Sequence, residues 1–139
     1  MKAKIFLDGK IREAFFKDAI SEYQKRLYGN VEVIECDQNA MLAQMSKENA
    51  YKIALVIEGK ILSSEAFAEK ISEISQDGYY NEILFFIGGA DGLSQEIKSK
   101  ADFRLSFSKM TFVHQHAVFI LVEQLYRAHR ILSGAPYHH

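Results

Sequence analysis

The chain has 139 residues, of which 48% are hydrophobic and 25% charged, and these values predict one soluble globular domain over residues 1–139. No run approaches the roughly 18 consecutive apolar residues of a membrane span, the N-terminal apolar run is too short for a secretory signal, and a formal net charge of −1 gives no sign of a nucleic-acid-binding protein. The single cysteine, Cys36, excludes a framework of intrachain disulfides and predicts a reducing, cytoplasmic setting.

The first part of the chain alternates between predicted strands and helices. Residues 4–7 are typical of a short strand, and residues 10–27 predict a helix because their apolar side chains recur at helical spacing. Residues 31–36 alternate in polarity and are rich in valine and isoleucine, which favours a strand, and residues 38–50 predict a second helix. Cys36 belongs to the strand-like run, where it is expected to be a small core residue.

The second part continues the alternation with more strongly apolar strands. Residues 51–59 predict a buried strand, and Ser63 or Ser64 is expected to cap the helix that follows. The remaining predicted elements are a strand at 82–89, a short helix at 94–100, a short strand at 103–107 and a long helix at 114–133 that Gly134 closes. This order predicts an α/β fold with a mainly parallel sheet.

Three strand exits are candidate ligand sites, because ligands of α/β folds bind at the carboxyl ends of strands. They lie at 55–59, 87–92 and 106–113. The second exit contains three glycines, which let the backbone turn tightly and let a ligand approach it closely. Their spacing differs from that of dinucleotide sites, and no lysine follows as in a P-loop. The turn therefore favours a nucleoside-like ligand without phosphates, although plain turn chemistry is an equal alternative.

The C-terminal quarter differs from the rest in charge. Residues 104–139 contain four basic residues and one acidic residue, so they carry +3 against −4 for residues 1–103, and they hold all five histidines. Such asymmetry indicates either a face that meets an anion or a solvated face. The long helix within this segment has a broad apolar stripe, which is typical of a core helix or of a helix shared between the core and a dimer interface.

Four motifs occur in order, at 85–94 (FFIGGADGLS), 105–115 (LSFSKMTFVHQ), 123–131 (EQLYRAHRI) and 136–139 (PYHH). Together they resemble the RlmH family, ribosomal RNA large subunit methyltransferase H, in the SPOUT class, over the whole chain. The resemblance implies an α/β SPOUT-type fold with a deep trefoil knot in its C-terminal part. It also implies a homodimer that uses S-adenosylmethionine to methylate N3 of a pseudouridine in 23S ribosomal RNA on the assembled ribosome.

The resemblance also implies roles for individual residues. The methyl-donor pocket is expected at Leu55, Gly89, Ser108, Lys109, Met110, Thr111, Phe112 and Val113. His138 is the expected catalytic base for N3, with Tyr137 beside it to stack on or hydrogen-bond the target base, and this tail is expected to serve the partner subunit's pocket. Contacts with ribosomal RNA are expected from Arg127, Arg130 and His139, with a carboxylate pair as the equal alternative for each arginine.

The chain departs from the family pattern at a few positions. His139 stands where arginine or lysine is common, Val113 replaces a proline, Val118 falls where an arginine is common, and the glycine turn contains Ala90 and Asp91 in place of proline and glutamate. These changes bear on RNA affinity more than on the donor pocket, because backbone groups tolerate side-chain changes.

Two other functions stay open from the sequence alone. One is a non-catalytic module of the same fold that binds the ribosome or a nucleoside. The other is a metal-dependent hydrolase that uses His114, His116 and the terminal histidine pair, since histidines at such spacings can ligate zinc. No carboxylate or cysteine pattern accompanies these histidines, so we expect no metal site.

Overall fold

The computed structural model describes residues 1–136, and the strand–helix alternation predicted from the sequence is confirmed there. The strands of this part are β1 (Lys2–Asp8), β2 (Val31–Cys36), β3 (Ala50–Ile61), β4 (Glu82–Ile87) and β5 (Phe103–Ser106). Its helices are α1 (Ala14–Arg26), α2 (Gln38–Gln44), α3 (Ser64–Gln76), α4 (Gln95–Lys100) and α5 (His114–Leu132). No helix within these residues is both long and apolar enough to span a bilayer.

The five strands form one sheet in the order β2-β1-β4-β3-β5, and every neighbouring pair is parallel. The predicted α/β architecture with a parallel sheet is therefore confirmed. Leu55 of β3 pairs with Ile87 of β4 on one side and with Leu105 of β5 on the other. The carboxyl ends of β4 and β5 thus lie beside Leu55, whereas β3 itself continues to Ile61 and not only to the predicted residue 59. The deep trefoil knot that the resemblance implies stays a prediction.

The sheet is buried on both faces, as a parallel sheet with crossover helices requires. Along β4, Ile83, Phe85 and Ile87 contribute to one core cluster with α1, α3 and α5. Leu84 and Phe86 contribute to a second cluster with α2 and α4 on the opposite face. Because consecutive side chains enter different clusters, a central strand of this sheet has to be apolar throughout, which is why residues 83–87 form an unbroken hydrophobic run.

Helix α1 is shorter than predicted, because it begins at Ala14 and not at residue 10. The backbone N–H of Ile11 donates to the Glu35 carboxylate at 2.6 Å, and that of Arg12 donates to the Gln115 side-chain oxygen at 2.7 Å. Side chains that are distant in sequence therefore hold residues 10–13 as a loop at the end of β1.

Helix α5 uses its broad apolar stripe inside the protomer. It packs against both α1 and α3 as well as the sheet. Val118, Leu121 and Val122 are 0% exposed, whereas Leu132 at the C-terminal end is 47% exposed. Contact with two helices accounts for the width of the stripe, so the stripe is not by itself an argument for a dimer. Val118 is a core residue, which explains an apolar side chain at that position.

Candidate functional site

The glycine turn after β4 requires two of its three glycines for backbone reasons. The N–H of Gly92 donates to the carbonyl of Gly89 at 3.0 Å, and Gly92 has a φ of 75°. A Cβ on Gly88 would lie 2.4 Å from the carbonyl carbon of Gly92, which no side chain can tolerate. Turn geometry therefore explains Gly88 and Gly92. At Gly89 a Cβ would come within 3.0 Å of the Asp8 carbonyl oxygen, so Gly89 keeps this turn close to β1.

Gln38 fixes the position of the glycine turn, and sequence reasoning missed it. Its side-chain N–H group donates to the Asp8 carboxylate at 2.8 Å and to the Gly92 carbonyl at 2.9 Å. Its side-chain oxygen accepts from the N–H of Ser94 at 2.7 Å. Asp37 caps α2 by accepting from Ala40 and so orients the first residue of the helix toward the turn. One amide side chain thus joins the end of β1 to the C-terminal end of the turn.

The loop after β5 is shaped by two serines. The hydroxyl of Ser106, a residue only 3% exposed, donates to the Ser108 carbonyl at 2.9 Å, and the Ser108 hydroxyl accepts from the N–H of Met110 at 3.0 Å. The N–H groups of Thr111 and Phe112 have no protein partner within residues 1–136. Such groups are free to hydrogen-bond a ligand edge.

The predicted donor-pocket positions come together at one edge of the sheet. Leu55, Ile87 and Leu105 form one row across β3, β4 and β5. Gly89 lies two residues beyond Ile87, after the end of β4, and Ser108 lies three residues beyond Leu105, after the end of β5. Half-buried apolar surface from Leu55 and free backbone groups from residues 108–113 therefore face the same end of the sheet, an arrangement that suits a flat heterocycle held by main-chain hydrogen bonds.

An open polar cleft of about 440 Å³ adjoins the glycine turn. Its lining includes Asp8, Lys10, Arg12, Gly89, Asp91 and His114. These residues come from the carboxyl ends of β1 and β4 and from the first turn of α5. Gly89 and Asp91 belong to the strand exit predicted at 87–92, and His114 was a candidate zinc ligand, but Asp8, Lys10 and Arg12 were not predicted as part of a site. We refer to this feature as the polar cleft.

The predicted RNA-contacting arginines lie on the second half of α5. Arg127 forms an ion pair with the Glu123 carboxylate at 2.6 Å, so the carboxylate alternative is present at this residue. Arg130 donates to the carbonyl of Pro136 at 3.1 Å. Tyr137, His138 and His139, predicted as base-stacking, catalytic and RNA-contacting residues, lie outside the described residues.

The two histidines at the start of α5 have different surroundings. The His114 ring lies 3.4 Å from the Lys10 carbonyl, whereas the His116 ring packs among Phe16, Phe112 and Phe119. Within residues 1–136 no group of three or more potential ligands is arranged to hold a metal ion. In this part of the chain the His-x-His spacing therefore serves packing and loop contact.

Cys36 behaves as the predicted structural residue. It packs against the core cluster on the α2 and α4 face. Burial raises the pKa of its thiol, and the neighbouring charges of Asp37 and Asp8 raise it further. A thiol with a raised pKa is a poor nucleophile at neutral pH.

The sequence matches the family described as predicted SPOUT methyltransferase over residues 1–138. Three full-length relatives bear the name ribosomal RNA large subunit methyltransferase H. They come from Clostridioides difficile strain 630 (43% identity), Halothermothrix orenii (43%) and Bifidobacterium adolescentis (41%), and each alignment covers 99% of this chain and 99% of the relative.

Solved structures support the same fold at low sequence identity. A methylase family protein from Haemophilus influenzae Rd KW20 has a TM-score of 0.62 at 13% identity and matches 95% of this chain and 68% of that one. A ribosomal RNA small subunit methyltransferase E from Neisseria gonorrhoeae, bound to S-adenosyl methionine, has a TM-score of 0.54 at 11% identity over 95% of this chain and 66% of that one. Together, sequence and fold establish that this chain belongs to the SPOUT methyltransferases and, within them, to the family of ribosomal RNA large subunit methyltransferase H.

Proposed function

We propose that this chain is an S-adenosylmethionine-dependent methyltransferase that acts in the cytoplasm on N3 of a pseudouridine in the 23S RNA of assembled ribosomes. The family and the names of its full-length relatives support a ribosomal RNA substrate. The observation that carries the proposal is that Leu55, Ile87 and Leu105 lie in one row across β3, β4 and β5, so that the segments after β4 and β5, with Gly89 and residues 108–113, leave the sheet beside Leu55.

These residues fit the methyl donor. The free N–H groups of Thr111 and Phe112 suit the edge of an adenine, and Leu55 offers an apolar wall. Gly89 follows β4 at the same end of the sheet, and a side chain there would displace the turn from Asp8. When bound, S-adenosylmethionine supplies a methyl group on a sulfonium sulfur, which keeps the electron pair of the bond that breaks.

The chemistry assigned to the protein side chains is removal of one proton. N3 of a pseudouridine is an imide nitrogen that carries a proton, so it is a poor nucleophile until a base removes that proton. We assign this role to His138, because an imidazole titrates near neutral pH. The proton passes to the imidazole, and the nitrogen electron pair forms the new N–C bond. Tyr137 would position the target base, and Arg127, Arg130 and His139 would contact RNA.

The geometry of α5 favours a site shared between two subunits. This helix starts directly after the donor loop, and its 19 residues extend about 28 Å away from it. Arg130 then binds Pro136, so the chain remains near the far end of the helix. His138 is two residues further on, which adds a reach of only about 7 Å. Because α5 carries the chain about 28 Å away from the donor loop before Pro136, we propose that the tail completes the site of a second copy.

Subunit mixing tests both the reaction and the shared site. We expect Gly89→Val to block donor binding and His138→Ala to abolish transfer while leaving donor binding intact. Each pure variant should be inactive on ribosomes with labelled S-adenosylmethionine. If subunits exchange at random, a mixture of the two should regain about a quarter of wild-type turnover, because half the dimers are mixed and each has one intact site.

A mixture of Gly89→Val with the double variant Gly89→Val/His138→Ala is the matched control and should stay inactive. No recovery in the first mixture, with subunit exchange verified by mass spectrometry, would contradict the shared site. Mass spectrometry of ribosomal RNA identifies the methylated atom, and a product other than N3-methylpseudouridine would overturn the assigned substrate. Donor binding by the wild-type protein without any transfer would favour the non-catalytic module instead.

A further inference from the structure

Resting on the proposed function, we infer that the polar cleft beside Gly89 binds a ribonucleotide of the RNA substrate, with its phosphate on Lys10 and Arg12. The cleft has a volume of about 440 Å³, within the roughly 300–1,000 Å³ range of small-molecule sites. It shares Gly89 with the proposed donor pocket, so a nucleotide held there would lie next to the group that is transferred.

The two cations of the cleft are available for an anion. Lys10 and Arg12 are exposed, and neither forms an ion pair with any carboxylate in the part of the chain that the structure describes. By contrast, Lys4 and Lys47 near the opposite end of the sheet both pair with Glu82. Unpaired cations at a concave surface are the side chains that RNA phosphates contact.

The loop that carries these cations is held in place by contacts on both sides. The N–H of Gly9 donates to the Cys36 carbonyl at 3.2 Å, and that of Ile11 donates to Glu35 at 2.6 Å. The Gln115 side-chain oxygen accepts from both Arg12 and Glu13, at 2.7 and 3.0 Å. A loop ordered in this way loses little entropy when it binds a ligand, which is the usual property of a preformed site.

The acidic groups of the cleft favour a whole nucleotide over a bare phosphate. Asp8 and Asp91 line the same surface as Lys10 and Arg12, so the formal charge of these four side chains sums to zero. Gln38 engages one oxygen of Asp8, which leaves the other free to accept a hydrogen bond. A ribonucleotide matches this mixture, because its phosphate is anionic while its hydroxyl and base N–H groups are donors.

The amino-acid end of S-adenosylmethionine is an alternative occupant of the polar cleft. It also carries one cation and one anion, and it would meet the same four side chains. The two occupants differ in what the cleft cations affect. If a nucleotide occupies the cleft, removing Lys10 and Arg12 should weaken ribosome binding alone. If the amino-acid end of the donor occupies it, their removal should weaken the affinity for S-adenosylmethionine.

The test compares Lys10→Ala/Arg12→Ala with Lys2→Ala/Lys25→Ala. The control removes the same charge from exposed positions at the start of β1 and the end of α1, away from the carboxyl edge of the sheet. We expect the cleft variant to bind S-adenosylmethionine in calorimetry as the wild type does. Its KM for ribosomes should be about tenfold higher. The slope of log affinity for ribosomes against log salt concentration should fall by the amount that corresponds to about one to two lost phosphate contacts. The control should match wild type, and Lys10→Arg/Arg12→Lys should recover most of the loss.

Three results would overturn the inference. The first is an unchanged ribosome KM in a folded cleft variant. The second is a loss of S-adenosylmethionine affinity in that variant, which would assign the cleft to the donor's amino-acid end. The third is an equal loss in the control, which would indicate bulk charge. If the wild-type protein transfers no methyl group to ribosomes, the proposed function fails instead, and the two failures are thereby separated.

Discussion

At the residue scale, the glycine turn is positioned by the missing side chain of Gly89 and by the hydrogen-bonding amide of Gln38. Gly89 permits close approach to Asp8 because it has no Cβ. Gln38 uses both an N–H group and its oxygen, and it bonds Asp8, Gly92 and Ser94 at once. Only an amide has donors and an acceptor on one short branch. We therefore regard Gln38 as a positioning residue for the proposed donor pocket.

Gln38→Glu should disturb the turn without changing the shape of the side chain. The new carboxylate would face the Asp8 carboxylate and the Gly92 carbonyl with no proton to donate, which costs about 1–3 kcal/mol. We expect a lower urea midpoint and weaker S-adenosylmethionine binding in calorimetry. Gln95→Glu, at an exposed position in the first turn of α4, is the matched control and should leave both unchanged. Equal donor affinity in Gln38→Glu would remove its positioning role.

The sequence predicted Gly89 but not Gln38, and the reason is physical. A glycine-rich turn after an apolar strand is visible as a local pattern. A polar residue at the start of a helix looks like a solvated one, and the partners of Gln38 at Gly92 and Ser94 are more than 50 positions away. The polar cleft was missed for the same reason, since it forms only when the ends of β1 and β4 meet the start of α5.

At the element scale, the pairing of β3 with β5 contains one close backbone contact, at Gly59. The register of the two strands shifts between Leu55 and Lys60, both of which align with Leu105. Within this irregularity lies Gly59, where a Cβ would sit 2.7 Å from the backbone of Leu105 and 2.8 Å from that of Arg104. The glycine is required because backbone, which cannot move aside cheaply, occupies the space of a side chain.

Gly59→Ala should destabilise the pairing of β3 and β5. Overpacking against backbone typically costs about 1–3 kcal/mol, and we expect the upper part of that range. Gly78→Ala is the control, because a Cβ there meets nothing within 4 Å and its φ lies outside the left-handed region. That variant should unfold in urea within about 0.5 kcal/mol of wild type. Equal unfolding free energies for the two variants would contradict the close approach.

The elements were predictable where local pattern dominates. The strand at 31–36 follows from its alternating polarity and its valine and isoleucine content. The strand predicted at 82–89 follows from its apolar run, although it ends at Ile87, and the long helix follows from its stripe and its closing glycine. The second helix ends at Gln44 rather than at residue 50, and Asn49 turns the chain into β3 with a φ of 62°. Helix ends of this kind depend on turns and tertiary contacts that periodicity does not register.

At the scale of the whole molecule, the length of α5 matters more than its composition. Its apolar stripe is buried against α1 and α3 of the same chain. The width of the stripe in the sequence is therefore not sufficient evidence for a dimer interface. The separation of about 28 Å between the ends of α5 replaces that argument. The sequence predicts a donor loop before α5 and a catalytic tail after it, but the length of the helix between them required the structure.

A shared site predicts that the active species is a dimer. We expect a solution mass near twice 15.9 kDa by light scattering at micromolar concentration, with turnover per chain falling on dilution as dimers dissociate. The tail variant His138→Ala should keep the same mass, which separates assembly from catalysis. A monomer that retains full turnover at every concentration would contradict the shared site.

The site that we propose to be shared across the span of α5 also predicts how a damaged copy behaves beside intact ones. A chain with a fault only in the donor turn, or only in the tail, leaves one working centre in each mixed pair. A chain with both faults lends a defective tail to its neighbour and offers a defective pocket in return, so neither centre works. Under the proposed shared site, we expect such a chain to be dominant-negative: co-expressed in excess, it should silence the normal copies, although either fault alone should spare half of each pair.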